Sequence, residues 1–295
     1  MFFIYFLLFI CAFLLSFALF VPSVRLSASL GAIDMPGQRK THTLPTPRAG
    51  GFSFFISFEL LLLASDLPIG TKIPLAISSC TVWLVGLLDD ALELSPIRKL
   101  TGQLLAASVY IFMSDARSVL SGMLTLLWIV YLTNAINLCD GLNGLAGGLC
   151  ASQTVCLGAL AAIFNNYAVA LCCIILLGSI LGFLPNNFPR ARIFMGDCGA
   201  LFLGFTLACL SSALLPELKG TMLPTSILLA FSIPICDTGF SIFRRFIEGK
   251  NPLKADKGHF HHRLLAVGFT KECATLALVT ASLFFGLLGI VLVSL

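Results

Sequence analysis

Charge is scarce in this sequence. Of 295 residues only 11% are Asp, Glu, Lys or Arg, where soluble globular domains carry about 25%. With 58% hydrophobic residues and a mean hydropathy of +1.00, the chain has too little polar surface for water. It also lacks a repeat of fixed period, a low-complexity tract and any segment that reads as a soluble domain. No C-x-x-C pair occurs among its eleven cysteines. That removes the common zinc and thiol-redox signatures and leaves the cysteines, odd in number and set mostly in apolar runs, as small packing residues. The first apolar run has no basic stretch before it and no clear small-x-small cleavage site, so it is expected to stay in the membrane as a span.

What is present is apolar length. Runs long enough to cross or nearly cross a bilayer fall at 2–22, 51–65, 73–88, 100–113, 118–136, 144–164, 167–184, 199–215, 221–236 and 274–294. The expected fold is one all-α polytopic membrane domain, residues 1–295, with about ten transmembrane helices. The run at 100–113 is short and implies tilt or local thinning of the bilayer.

The few charges are not evenly spread. Fifteen of the 18 basic residues fall in alternate loops, and only Lys72, Arg117 and Lys219 lie in the others. The positive-inside rule then puts the fifteen, and a cleft among them, on the cytoplasmic face, with both termini outside. The net charge of +4 is thus a topology signal and gives no reason to expect nucleic acid. All four histidines and every acid except Glu59, Asp66, Asp115 and Glu217 share the basic face. The rule concerns basic residues alone, so acids and histidines there ask for a chemical reason.

Five polar clusters supply candidates. Asp89 and Asp90 end a span in "VGLLDDALELSPIRKLTGQ", with Lys99 ten residues on. They read as a helix end meeting water or as a carboxylate pair facing a metal or phosphate, with Lys99 as phosphate cation. Asn137, Asp140 and Asn143 recur every three residues in "NAINLCDGLNG" and share a face if the helix continues, while Gly141 lets a ligand approach the backbone. Asp197 opens a span in "FMGDCGALFLG", as an N-terminal acid or as part of an anion and metal site, with Phe194 three residues upstream. Lys40, His42 and Arg48 lie in the Pro- and Gly-rich stretch 33–51, which could equally serve anionic lipid. His259, His261, His262 and Arg263 form "HFHHR", too small a ligand set for a zinc site. Asp237 reads as a cap or a site residue, and Glu59 stands inside a span without a nameable partner. Acids and amides converging from separate loops fit Mg²⁺ with a diphosphate.

Taken in order, D-x-P-x-x-R-K-x-H…P-R-x-G-G, D-D-x-x-x-L-x-P, N-A-x-N-x-x-D-G-x-N-G, F-M-G-D-x-G and H-x-H-H-R span roughly residues 31–270. This pattern resembles the polyprenyl-phosphate N-acetylhexosamine-1-phosphate transferases. The histidine motif, preceded by "DK", looks like the bacterial branch that makes undecaprenyl-diphospho-GlcNAc. The resemblance implies transfer of GlcNAc-1-phosphate from UDP-GlcNAc to undecaprenyl phosphate, releasing UMP, at the cytoplasmic side of a bacterial inner membrane. It implies Mg²⁺, with Mn²⁺ as a substitute, held by Asp197 and Asn137. Asp89, Asp90 and Asp140 would be the catalytic acids, with His259, His261 and His262 over the sugar phosphate. Phe194 would stack on uracil, and Gly141, Leu142 and Asn143 would line the uridine pocket. Lys40, His42, Arg48, Lys99 and Arg263 would bind substrate. Relatives commonly carry Asp where this chain has Asn143, which can hydrogen-bond a uracil edge or ribose but carries no charge. The histidine stretch is expected to be an extended loop with His259 and His261 on one side, Phe260 packed inward and Arg263 reaching on to the phosphates. A same-family enzyme using another donor, such as UDP-MurNAc-pentapeptide, is the alternative, and a secondary transporter a remote one. The protein partners are left open, a homodimer included.

Overall fold

The computed structural model describes residues 2–36, 44–114, 118–215, 222–249 and 258–294. Helices dominate: α1 (Phe2–Ala18), α2 (Phe20–Ser29), α3 (Gly51–Ala64), α4 (Ile69–Leu92), α5 (Pro96–Met113), α6 (Val119–Cys139), α7 (Leu145–Ile163), α8 (Tyr167–Phe183), α9 (Gly196–Leu214), α10 (Met222–Ala230), α11 (Ser232–Ile247), α12 (Phe260–Ala266) and α13 (Lys271–Ser294). Two short strands, β1 (Ile33–Asp34) and β2 (Thr46–Pro47), pair antiparallel with Ile33 opposite Pro47.

In their described residues the ten apolar runs are mainly helical. Among the described residues six helices, α4, α6, α7, α8, α9 and α13, are long and apolar enough to cross a membrane. The bent pairs α1–α2 (42°) and α10–α11 (79°) raise the number to eight if each is one span. The run at 51–65 is the 14-residue α3. The run at 100–113 begins earlier than its apolar residues do. Ser95 caps α5 by accepting from the Arg98 amide at 3.4 Å, and Pro96 fits the first turn, so Arg98 and Lys99 join the helix. The chain is therefore an all-α, multi-pass membrane protein.

α9 is the axis, with α3, α4, α6 and α7 packed around it. In its most apolar window 83% of residues are buried, against 22% for the peripheral α13. Lipid tails are as apolar as leucine, so helix association here depends on close packing rather than on escape from water. An aromatic cluster provides it. Phe55 stacks on Trp83 at 4.2 Å between ring centroids, and Phe202 of α9 meets Phe55 and Phe58 edge-on at 5.4 and 5.7 Å. Gly86 lets α4 lie against α9: a Cβ there would stand 2.6 Å from the carbonyl oxygen of Asp197. That contact brings the polar ends of the two helices to one place.

Candidate active site

The N-terminus of α9 is the centre of the site. A helix begins with N–H groups that have no partner within it. Here Asp90, from the end of α4, supplies both oxygens: Oδ1 accepts from the Asp197 amide and Oδ2 from the Cys198 amide, each at 2.9 Å. The chain enters α9 through Gly196 at φ +71°, and a Cβ there would run into the Asp90 carboxylate and the Arg48 carbonyl. Arg48 adds its Nε 3.8 Å from Asp90 and its Nη1 4.0 Å from Asp34, which ties the β1–β2 hairpin to the cap. Backbone bonds complete the seam: Phe194 N to Pro47 O at 2.8 Å, Gly50 N to Phe194 O at 2.9 Å and Gly51 N to Met195 O at 2.8 Å.

Asp197 projects from the first turn of α9 and gathers three elements. Asn137 of α6 donates its Nδ2 to Oδ1 at 2.7 Å. Lys99 of α5 donates to Oδ2 and also reaches Asp89 Oδ2 at 2.6 Å. The other Asp89 oxygen accepts from the Leu94 amide at 2.8 Å, where Glu93 turns the chain at φ 52°. One turn along α5 and α6 from Lys99 and Asn137, Gln103 and Asn134 exchange hydrogen bonds at 2.6 and 3.2 Å and fix the register of the two helices. Sequence reasoning missed this amide pair, although Asn134 stands in the quoted motif.

α6 does not continue through the glycine-rich stretch. It ends at Cys139, Asp140 is its C-cap, and α7 starts after Gly144 at φ +73°. Asn137, Asp140 and Asn143 therefore do not share a helical face; the turn, favoured by Gly141 and Gly144, separates them. Asp140 nevertheless belongs to the acid cluster. Burial pushes its carboxyl up to about 7, Asp197 and Asp90 push the same way, and Arg48 opposes them. Asn143 donates to the Pro189 carbonyl at 3.1 Å and its own carbonyl accepts from Thr275 at 3.3 Å. Leu142 is buried in a small cluster with Cys139, Leu145 and Ile233, against which Phe260 packs, so its backbone is what it can offer a ligand. Asn187, not singled out from sequence, is buried and holds the turn from the other side, accepting from Gly144 N at 2.8 Å and donating to Ile193 O at 2.9 Å.

His261 and His262 sit on α12, a short helix and not an extended loop, and His259 is its N-cap residue. Asp237 of α11 starts it: Oδ1 accepts from the Phe260 amide at 2.6 Å, and Oδ2 lies 2.8 Å from His259 Nδ1. With the first turn capped, helix formation follows. The His259 and His261 rings still lie parallel, 5.9 Å apart, and Phe260 still packs inward. Arg263 does not reach onward; it folds back, donating Nε to the Gly258 carbonyl at 3.0 Å and covering the Phe240 ring at 5.3 Å. His261 packs against Gly141, where a Cβ would meet its ring, and so joins the histidine helix to the residue after Asp140. Burial, then His262, lowers His261 to about 4, with Asp237 opposing, so the ring is neutral at neutral pH. Phe194 is half-buried beside the cap. Lys40 and His42 lie outside the described residues.

The donor set bears on a metal. Asp89, Asp90, Asp140 and Asp197 bring four carboxyls to a region where Lys99 and Arg48 are the named cations. Carboxylate and amide oxygens with surplus negative charge fit a hard divalent ion such as Mg²⁺, which needs only one or two protein ligands. Among the described residues no three His, Cys, Asp or Glu side chains come together as a metal-ligand group.

Comparison with known proteins identifies the family. The family model described as Glycosyl transferase family 4 matches residues 73–214, which hold the Asp89–Asp90, Asn137–Asp140 and Asp197 segments. The chain is 36% identical to a Bacillus subtilis protein named probable undecaprenyl-phosphate N-acetylglucosaminyl 1-phosphate transferase, over 95% of this chain and 83% of that protein. It is 34% identical to the decaprenyl-phosphate N-acetylglucosaminephosphotransferase of Mycolicibacterium smegmatis, over 85% and 73%. It is 33% identical to the undecaprenyl-phosphate alpha-N-acetylglucosaminyl 1-phosphate transferase of Thermotoga maritima, over 88% and 81%.

Proposed function

This chain belongs to glycosyl transferase family 4, and we propose that it moves GlcNAc-1-phosphate from UDP-GlcNAc to undecaprenyl phosphate, releasing UMP. The reading includes ten spans, a cleft at the cytoplasmic face of a bacterial inner membrane, and a role in the first membrane step of a cell-envelope polysaccharide. It also includes dependence on Mg²⁺, replaceable by Mn²⁺. The observation that carries it is the convergence of Asp89, Asp90, Lys99, Asn137 and Asp140 on the α9 N-terminus around Asp197. A helix N-terminus attracts anions, and clustered carboxylates attract the cation that accompanies a diphosphate.

In this reaction an oxygen of the lipid phosphate attacks the β-phosphorus of the donor. The bond to the bridging oxygen breaks, and that oxygen leaves on UMP. The acceptor, with a second phosphate pKa of about 6, is mostly a dianion at pH 7, so no proton has to be removed from it. The work of the protein is positioning and charge balance. Asp197 and Asn137, with Asp140 beside them, would hold the Mg²⁺, which when bound offsets diphosphate charge. Lys99 lies between Asp89 and Asp197 and is free to exchange one carboxylate for a phosphate oxygen, a short movement of a flexible ammonium. Asp89 and Asp90 anchor Lys99 and the α9 cap rather than serve as strong bases.

The test is UMP release by purified protein given undecaprenyl phosphate, Mg²⁺ and a panel of UDP-sugars. UDP-GlcNAc should be used and UDP-MurNAc-pentapeptide should not. Preference for the pentapeptide donor would change the substrate, and no release with any donor would end the transferase reading.

A further inference from the structure

Asp237 lies away from the acid cluster, in α11, and its neighbours show two functions for one buried side chain. One oxygen holds the Phe260 amide at 2.6 Å and the other meets His259 Nδ1 at 2.8 Å, with both Asp237 and His259 almost fully buried. The first contact starts α12. The second decides how the imidazole presents itself. A carboxylate has only acceptor sites, so His259 must carry its hydrogen on Nδ1, and Nε2 is the ring nitrogen left for a ligand. The consequence reaches the acid cluster, because α12 carries His261, two residues on, against Gly141 beside Asp140.

We propose that Asp237 is a positioning residue for phosphosugar transfer, setting the tautomer and ring orientation of His259 and the start of the helix that lays His261 on Gly141. This rests on the reaction proposed above. The geometry is that of a buried carboxylate orienting a histidine from behind, an arrangement in which the carboxylate acts only through the ring.

The two functions of Asp237 are separable by substitution. In Asp237→Asn the amide oxygen can still accept from Phe260, so α12 keeps its cap. The amide NH₂ then faces Nδ1, and the ring answers by moving its hydrogen to Nε2. Asp237→Ala removes both contacts. Asp237→Asn is expected to melt like the wild type while kcat falls on the order of 10²-fold and the donor KM stays within about threefold. In a His259→Ala background, Asp237→Asn should add little further loss, since a residue acting through a partner is non-additive with its removal. A spectroscopic measurement is independent of turnover. In nitrogen-15 spectra of histidine-labelled protein, with the His259 signal assigned by its loss in His259→Ala, Nδ1 should be protonated in the wild type and bare in Asp237→Asn.

Wild-type kcat in Asp237→Asn, an equal further loss in the His259→Ala background, or an unchanged His259 tautomer would each overturn the assignment. The expected tautomer difference between wild type and Asp237→Asn, together with no UMP release by the wild type, would overturn the reaction and leave the Asp237–His259 pairing standing.

Discussion

Two carboxylates in this molecule start a helix that belongs to someone else's chain segment, and they do it with different support. Asp90 of α4 caps α9 through two backbone amides, at a place where α3, α4, α6 and the β1–β2 hairpin all meet. Asp237 of α11 caps the seven-residue α12 through one amide and spends its other oxygen on a histidine. The first is a fixed point of the bundle. The second is a short helix whose first turn has that one side-chain cap and which otherwise packs through Phe260, Leu264 and Leu265. Sites that bind charge tightly gain from the first kind of support. On the function proposed above, the α9 end would hold the phosphates and the α12 end would lie over them.

The largest effect is expected at the fixed point. Asp197→Asn keeps the shape, and its oxygen can still take the Lys99 hydrogen bond, but the charge is gone. Turnover should fall by about 10²–10³-fold, with a raised Mg²⁺ requirement and an unchanged melting curve. A titration of rate against Mg²⁺ checks this. Wild-type metal dependence in the variant would move the phosphate site away from α9, and with it one side of the comparison.

The next effect separates the two caps directly. In Asp90→Asn one backbone N–H keeps an acceptor and the other faces an NH₂, two donors with nothing to share. The backbone amide cannot adjust, so about 1–3 kcal/mol of stability should be lost along with rate. Asp237→Asn meets a ring that can shift its hydrogen, so it should slow the enzyme without destabilising it. Thermal melting of the two variants side by side is the measurement. Equal destabilisation would mean the caps are alike and the contrast is false.

How legible each region was in the sequence follows from the same contrast. The acid cluster could be anticipated because each of its members breaks an apolar run: Asp89, Asp90, Asp140 and Asp197 all stand at span ends, where an acid needs a reason. What the sequence did not show is which atoms pair. Asn137, expected as a metal ligand, donates to Asp197, and its carbonyl oxygen is the end left for a cation. The Gln103–Asn134 pair was invisible because an amide inside a helix carries no distinctive period. The helix at 260–266 was missed because His-Phe-His-His has no strong helix signal of its own, and its cap lies 23 residues upstream in Asp237. Arg263 was expected at the phosphates for the same reason: in an extended strand it would reach on, and in a helix it turns back over Phe240.

A smaller effect should distinguish binding from closing. Phe194→Ala, beside the α9 cap, should raise the donor KM by roughly the worth of one base stack, about 1–3 kcal/mol, with kcat little changed. Arg263→Ala, on α12, should lower kcat more than it weakens UDP binding, because the loss frees a helix and takes nothing from the uridine pocket. Steady-state kinetics and UDP titration of the pair check the division. Equal effects on UDP affinity would mean that the two ends do the same work.

The smallest effect concerns an acid that belongs to neither end. Glu59 is buried in α3 and accepts a hydrogen bond from Ser79 of α4 at 2.5 Å, so its partner is an interhelical hydroxyl and not a cation or a backbone amide. An acid inside a span is a functional candidate by default. The contrast drawn above says otherwise here, because what marks Asp90 and Asp237 is the helix each one starts, and Glu59 starts none. Glu59→Gln keeps the volume and an oxygen for Ser79. It should cost under about 1 kcal/mol, the scale of a hydrogen bond between membrane helices, and leave turnover within about twofold of wild type. If it silences the enzyme with the fold intact, then burial of an acid, and not the capping of a helix, is what predicts function in this molecule, and the roles given to the two ends would have to be argued again from charge alone.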